Sequence, residues 1–226
     1  MSRPRLLDLF CGAGGAAVGY YRAGFDVVGV DLKPQPRYPF EFHQADAMTY
    51  PLEGFDAIHA SPPCQGYSRL RHLPWLRGRV WPLLIEPTRE RLIAAGIPWT
   101  IENVMDAPLH GPWLCGRMFD LPLYRHRRFE SSWRWFPPHH LKHGTVIGHG
   151  RMVNDRHKGT LNAGSNKGAW GNQSIVTVAG GQFRKADGES AMGIDWMSKA
   201  ELTQAIPPVM TEYIGRQLIA VMAATR

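Results

Sequence analysis

Arg5 to Phe10 reads as a first strand, apolar at nearly every position, and runs directly into Cys11-Gly12-Ala13-Gly14-Gly15. A near-continuous apolar strand belongs to a parallel sheet covered on both faces. Glycines just after a strand let the backbone turn sharply and approach a ligand closely. Ala16 to Ala23 then reads as a helix stopped by Gly24. Asp26 to Val30 reads as a second strand that ends at Asp31. Strand, glycine turn, helix and strand make a βαβ unit. Its crossover is right-handed and commits the chain to a parallel sheet.

The pattern continues downstream. Pro34, Pro36 and Pro39 rule out a long helix after Asp31. A short third strand is expected to end near Asp46, and Phe55 to Ala60 reads as a fourth. Leu83 to Ala95 is expected to be helical, with Pro87 near its start and Gly96 closing it, and Trp99 to Glu102 is the fifth strand. Near the end, Val209, Met210, Tyr213, Ile214, Leu218, Val221 and Met222 form an amphipathic helical face over Val209 to Ala223. The expected fold is α/β, a Rossmann-like doubly wound and mostly parallel sheet. From Ser131 to about Ser174 the chain turns rich in Gly, His, Asn and basic residues and loses periodicity. Residues 131–189 are therefore read as a small loop-rich region, and 1–130 with 190–226 as the body.

At 226 residues the chain is long enough for one well-buried core. Its three cysteines, Cys11, Cys64 and Cys115, are odd in number and far apart, which excludes a disulfide framework and points to a reducing cytoplasm. No apolar run approaches a membrane span, and no signal peptide is read at the start. The formal charge of +7 suits a polyanionic partner such as nucleic acid. Arg69, Arg71, Arg77 and Arg79 follow Cys64 closely, interleaved with Trp75 and Trp81.

The glycine turn fits two cofactors. Gly12, Gly14 and Ala17 satisfy a loose dinucleotide fingerprint, and Asp31 ends the next strand where an acid meets a ribose. S-adenosylmethionine enzymes share that geometry. Residues alone leave NAD and S-adenosylmethionine both open, although nothing else in the chain suggests hydride transfer.

Ala60-Ser61-Pro62-Pro63-Cys64-Gln65-Gly66-Tyr67-Ser68 holds a cysteine on a stiff turn at a strand end. Open α/β sheets carry their chemistry there. With Asp8 to Gly15 before it, and Ile101-Glu102-Asn103-Val104, Arg125-His126-Arg127-Arg128-Phe129 and Gln204-Ala205-Ile206-Pro207-Pro208 after it, this stretch resembles the DNA cytosine methyltransferases that modify carbon 5 of the base. The motif order covers Leu6 to Leu218, and the size resembles compact phage-type members.

The resemblance implies a class I S-adenosylmethionine-dependent fold, double-stranded DNA as partner, a monomer on DNA, and S-adenosylhomocysteine as product. It implies Cys64 as nucleophile toward cytosine carbon 6, Glu102 at ring nitrogen 3 and Arg127 with Arg125 supporting the developing charge. For Glu102 to act as a donor its pKa must be raised by burial. Phe10, Gly12, Ala13, Gly14, Asp31, Leu32, Asp46, Ala47, Pro63, Gln204 and Ala205 are implied to hold the cofactor. Because a stacked base is out of reach, the target must flip out. Gln65, Ser68, Arg69, Arg71, Arg77 and Arg79 are then expected on the DNA, on a loop running from Gln65 to Trp81.

The chain departs from the family pattern at Leu123, where glutamine is usual, at Gln204, where asparagine is usual, and in the shortness of its recognition region. Asn162, Ser165, Asn166, Lys167, Asn172 and Gln173 are candidates for reading base edges. RNA as substrate, a modified sulfonium donor and a non-catalytic DNA-binding module stay open. His139, His140, His143, His149 and His157 lack a cysteine or acidic pair at usual zinc spacing, so no metal is expected. Cys11 is expected to pack near the cofactor, and Cys115 in the core.

Overall fold

A computed structural model describes residues 2–76, 78–140, 143, 146–147, 175–179 and 183–224. Strands β1 (Arg5–Leu9), β2 (Asp26–Asp31), β3 (Glu41–Gln44), β4 (Ala57–Ala60) and β5 (Trp99–Asn103) run parallel. Two further strands, β6 (Trp113–Cys115) and β7 (His126–Ser131), complete one sheet in the order β3-β2-β1-β4-β5-β7-β6, with β7 antiparallel to both neighbours. A short parallel pair, β8 (Val146–Ile147) and β9 (Ile175–Val176), stands apart. The expected doubly wound α/β class is the observed one.

Helix α1 (Gly15–Ala23) ends on Gly24 in the left-handed region (φ 116°), and α2 (Ile85–Ala95) ends the same way on Gly96 (φ 68°). Both glycine stops were legible because that conformation excludes most side chains. Alternation along β1 sends Leu6 to one face of the sheet and Leu7 and Leu9 to the other. Leu6 packs with Tyr20 of α1 and with Met210, Ile214 and Leu218 of α5 (Pro208–Ala224). Leu7 and Leu9 pack with Ile85 and Leu92 of α2. Asp8 breaks the apolar run, and burial pushes its carboxyl well above the usual range.

Helices α1 and α5 lie so close that glycine is required between them. A Cβ at Gly19 would fall 2.0 Å from Thr211 Oγ1 and 2.1 Å from the Pro208 carbonyl oxygen. The Thr211 hydroxyl meanwhile donates to the Ala16 carbonyl at 2.9 Å. Gly19→Ala must push the helices apart, and we expect a loss of about 3 kcal/mol or more in denaturant unfolding. An unchanged midpoint would show that the helix pair yields freely.

Two stretches differ from expectation. β6 and β7 were not anticipated, because the charges of His126, Arg127, Arg128 and Glu130 hide the alternation that buries Phe129. Nor were α3 (Lys185–Met192) and α4 (Lys199–Gln204). Helix α4 opens with a capping box, in which Ser198 accepts from the Glu201 backbone and the Glu201 side chain accepts from the Ser198 N–H. These helices, with Leu123, Val176, Val178 and Phe183, form a third apolar cluster. The boundary read at 189 falls inside α3.

Candidate active site

Strand order reverses between β1 and β4, so the turns after these two strands open into one crevice at their carboxyl ends. A cavity of about 470 Å³ fills it. Its lining joins the glycine turn to Cys64, Glu102 and Arg127.

On the glycine-turn side, Phe10 leaves β1 with φ 56°, a left-handed backbone that a bulky residue seldom adopts. Gly12 follows with φ 50°, and a Cβ there would meet nothing within 4 Å. That open space faces the cavity. Asp31 Oδ2 accepts from the Gly12 N–H at 3.0 Å, and its Oδ1 accepts from the Lys33 N–H at 3.0 Å. One carboxylate thus ties the end of β2 to the glycine turn. Asp46 Oδ1 accepts from the Met48 N–H at 2.8 Å. Ala13, Leu32, Ala47, Pro63, Gln204 and Ala205 also border the cavity, as expected. Gly14 does not. Its Cβ position is filled by Pro39 Cδ at 2.7 Å and by the Tyr38 ring, so its glycine answers to packing and to φ 86° rather than to a ligand. Lys33, Met197 and Glu201 border the cavity without having been anticipated. The fit to a sulfonium nucleoside is good: an open cradle at Gly12, an acid at the end of β2 and an aromatic ring at Phe10.

On the Cys64 side, the turn is fastened by Asn103, whose Nδ2 donates to the Pro62 carbonyl at 2.8 Å while its Oδ1 accepts from the Val104 N–H. This bond ties the Cys64 turn to the end of β5, one residue past Glu102. Arg127 Nε lies 2.9 Å from Glu102 Oε1, and both side chains are largely buried. Burial raises the Glu102 carboxyl above its ordinary value, while Arg127, Arg125 and a hydrogen bond from Ser61 pull it back. The upward shift matches expectation. Burial likewise raises the Cys64 thiol, and Glu102 adds to this; Arg127 and Arg125 oppose it. The positive charge near the thiol comes from these two arginines, and burial outweighs it. No α-helix begins at Cys64: its carbonyl accepts from Tyr67 and Ser68 in a tight turn, followed by a 3₁₀ turn at Arg69–His72.

Behind Glu102 runs a chain of polar groups that the sequence did not reveal. The Tyr20 hydroxyl lies 3.1 Å from His59 Nδ1, and His59 Nε2 lies 3.0 Å from Ser61 Oγ. Burial drives His59 down to about 3, so its ring is neutral. Ser61 links this chain to Glu102 and borders the cavity.

Arg125 takes a different place from the one expected. Its Nη1 donates to the Val178 carbonyl at 2.7 Å and its Nη2 to the Thr203 carbonyl at 2.9 Å. The guanidinium is spent on backbone, outside the cavity lining. It acts as a positioning residue that ties the start of β7 to α4.

Gln65 borders the cavity. Ser68 caps the 3₁₀ turn by accepting from the Leu70 N–H at 3.2 Å. Arg69 pairs with Asp106 at 2.9 Å on the surface, Arg71 donates to the Gly66 carbonyl, and Arg79 is exposed. Arg77 lies outside the described residues, as do Asn162, Ser165, Asn166, Lys167, Asn172 and Gln173. Leu70, Trp75 and Val80 are exposed on the same loop, and Leu83 just after it. Cys11 packs in the core beside the glycine turn, and Cys115 is fully buried. No helix among the described residues is long and apolar enough to cross a membrane.

No family model and no curated protein matches the sequence. Solved structures do. An E. coli prophage protein described as a DNA modification methyltransferase superposes with a TM-score of 0.64 at 15% identity, over 97% of this chain and 99% of its own. The S. pombe Dnmt2 methyltransferase does so with 0.60 at 14% identity and the same coverage. This chain has their fold. A triple mutant of Spodoptera frugiperda DNMT2 gives 0.53 at 11% identity, again over 97% and 99%. The seven-strand order with an antiparallel β7 is the class I methyltransferase arrangement, and likeness at these identities establishes the architecture alone.

Proposed function

We propose that the protein is an S-adenosylmethionine-dependent DNA (cytosine-5)-methyltransferase, cytoplasmic and monomeric on double-stranded DNA. The observation that carries this is one cavity shared by Cys64, the Glu102–Arg127 pair and the glycine turn with Asp31. S-adenosylmethionine supplies an electrophilic methyl group for carbon 5. Asp31, Asp46 and Phe10 would hold the nucleoside end, and Gly12, with Gln204 and Ala205, the amino-acid end.

Cytosine carbon 5 is a weak nucleophile until the ring loses its aromaticity. The Cys64 thiolate adds to carbon 6, and negative charge spreads toward ring nitrogen 3 and the base carbonyl. Glu102 gives a proton toward nitrogen 3, and Arg127 faces the carbonyl. The Glu102 carboxylate is one of the charges that hold the Cys64 thiol protonated, so a Glu102 that is protonated before the attack favours the thiolate, and it gives up that proton only as the ring gains charge. Loss of the carbon 5 proton and expulsion of Cys64 restore the ring. The exposed apolar and arginine-bearing loop from Gln65 to Trp81 closes on the DNA, where its cations meet phosphates.

The deciding experiment offers labelled S-adenosylmethionine with duplex DNA, RNA and dCMP. Label is expected in duplex DNA alone, recovered as 5-methylcytosine by nucleoside mass spectrometry. Label in RNA alone, a different added group, or none at all would each overturn this reading.

A further inference from the structure

Four potential ligands meet on the β6–β7 pair, away from the reaction cavity. Cys115 closes β6, and His126 opens β7 directly opposite it in the antiparallel ladder. His140 and His143 come back from the segment after β7. Cys115 Sγ lies 3.6 Å from His143 Nε2, which in turn lies 3.0 Å from His140 Nε2 and 3.1 Å from His126 Nε2. All four ligand atoms fall within 4.8 Å of one another.

Protons alone do not account for this convergence. A ring nitrogen carries either one proton or one lone pair in the ring plane. His143 Nε2 faces three partners with that single valence. A cation at the centre satisfies all four atoms together. Tetrahedral zinc, with bonds of about 2.0–2.1 Å to nitrogen and about 2.3 Å to sulfur, sets ligand nitrogens about 3.3 Å apart and nitrogen and sulfur about 3.6 Å apart. The three separations from His143 Nε2 are close to these. Thiolate with imidazole is the donor set that suits zinc among the common biological cations.

The site is buried at Cys115 and partly exposed at the three histidines, with two aromatic rings against them. The Trp113 ring lies 5.1 Å from His126 and 4.7 Å from His140, centroid to centroid, and the Tyr124 ring lies 4.8 Å from His126 and 4.6 Å from His143. Cys115 has no solvent exposure. Four protein ligands leave no open position for substrate, which marks a structural role.

We propose that Cys115, His126, His140 and His143 bind one zinc ion, which staples the segment following β7 to the β6–β7 pair. His126 sits between Arg125 and Arg127 in sequence, so the ion also steadies the strand that delivers Arg127. The site is separate from the methyl-transfer reading and stands or falls without it.

The test uses untagged full-length protein, purified reduced, with metal content by plasma mass spectrometry. About one zinc per chain is expected. Cys115→Ser and His126→Ala should each bring it near zero, and Cys64→Ser should leave it unchanged. Cobalt titration of the metal-stripped wild type should give a thiolate-to-cobalt charge-transfer band with tetrahedral d–d bands. This reading needs no variant to fold, and His140→Ala, on the outer segment, provides a milder one. Folded wild type that takes up neither zinc nor cobalt overturns the proposal. So does cobalt binding without the charge-transfer band, or metal that leaves with Cys64→Ser and stays with Cys115→Ser.

Discussion

Cys64→Ser is expected to lower methyl transfer by on the order of 10³-fold or more, since removing a nucleophile removes the step itself. The fold should survive, because Cys64 is half-buried and its turn is held through Pro62 by Asn103. A sharper readout is covalent. DNA carrying 5-fluorocytosine should trap the wild-type protein, because fluorine cannot leave as a cation from carbon 5. The serine variant should give no denaturation-resistant adduct on a gel. Trapping that persists in the variant would take Cys64 out of the reaction, whatever the loss in turnover.

The second large effect lies in the Glu102–Arg127 pair. Glu102→Gln keeps the shape but offers no acid, so turnover should fall by roughly 10²–10⁴-fold. Stability should change little, since the amide oxygen still accepts from Arg127. Arg127→Met does the opposite to the fold. It leaves a buried carboxyl without its cation, at a cost of about 3–5 kcal/mol when that carboxyl is charged. The cost depends on pH, with a definite sign. Burial already raises Glu102 in the folded state, and removing Arg127 raises it further. The native state then holds a proton that the unfolded chain has released, so stability falls as pH climbs from about 4.3 toward the elevated value. The variant should match wild type most closely in acid and fall behind toward neutrality. A deficit that stayed constant from pH 4 to 8 in denaturant melts would mean that Glu102 does not feel Arg127.

What the sequence revealed was local, and what it hid needed partners far along the chain. The glycine stops at Gly24 and Gly96, the strand ends at Asp31 and Ala60 and the turn at Cys64 each rest on a few adjacent residues whose backbone limits are known. Most of the expected cavity lining followed, because the carboxyl ends of parallel strands converge by topology. β7 stayed hidden because its charged residues are held by distant partners, Arg127 by Glu102 and Glu130 by Arg89. The Tyr20–His59–Ser61 chain joins α1 to the turn after β4, a contact that no spacing rule encodes. Gly14 seemed to serve the ligand, yet Tyr38 and Pro39 claim its space. Cys115 stood too far from His140 and His143 to be read with them until β6 paired with β7. Ser198-Lys199-Ala200-Glu201 did carry the signature of a helix start, and was legible in hindsight.

Arg125 has a consequence for how the segments around α3 and α4 stay in step with the cavity. One guanidinium grips the Val178 carbonyl just past β9 and the Thr203 carbonyl in α4, while Arg127 follows two residues later in β7. Any displacement of those two carbonyls is transmitted through two peptide units to Arg127 at the cavity wall. Changes in the outer segments leave Arg127 in place only as long as this knot keeps its two anchors at constant separation.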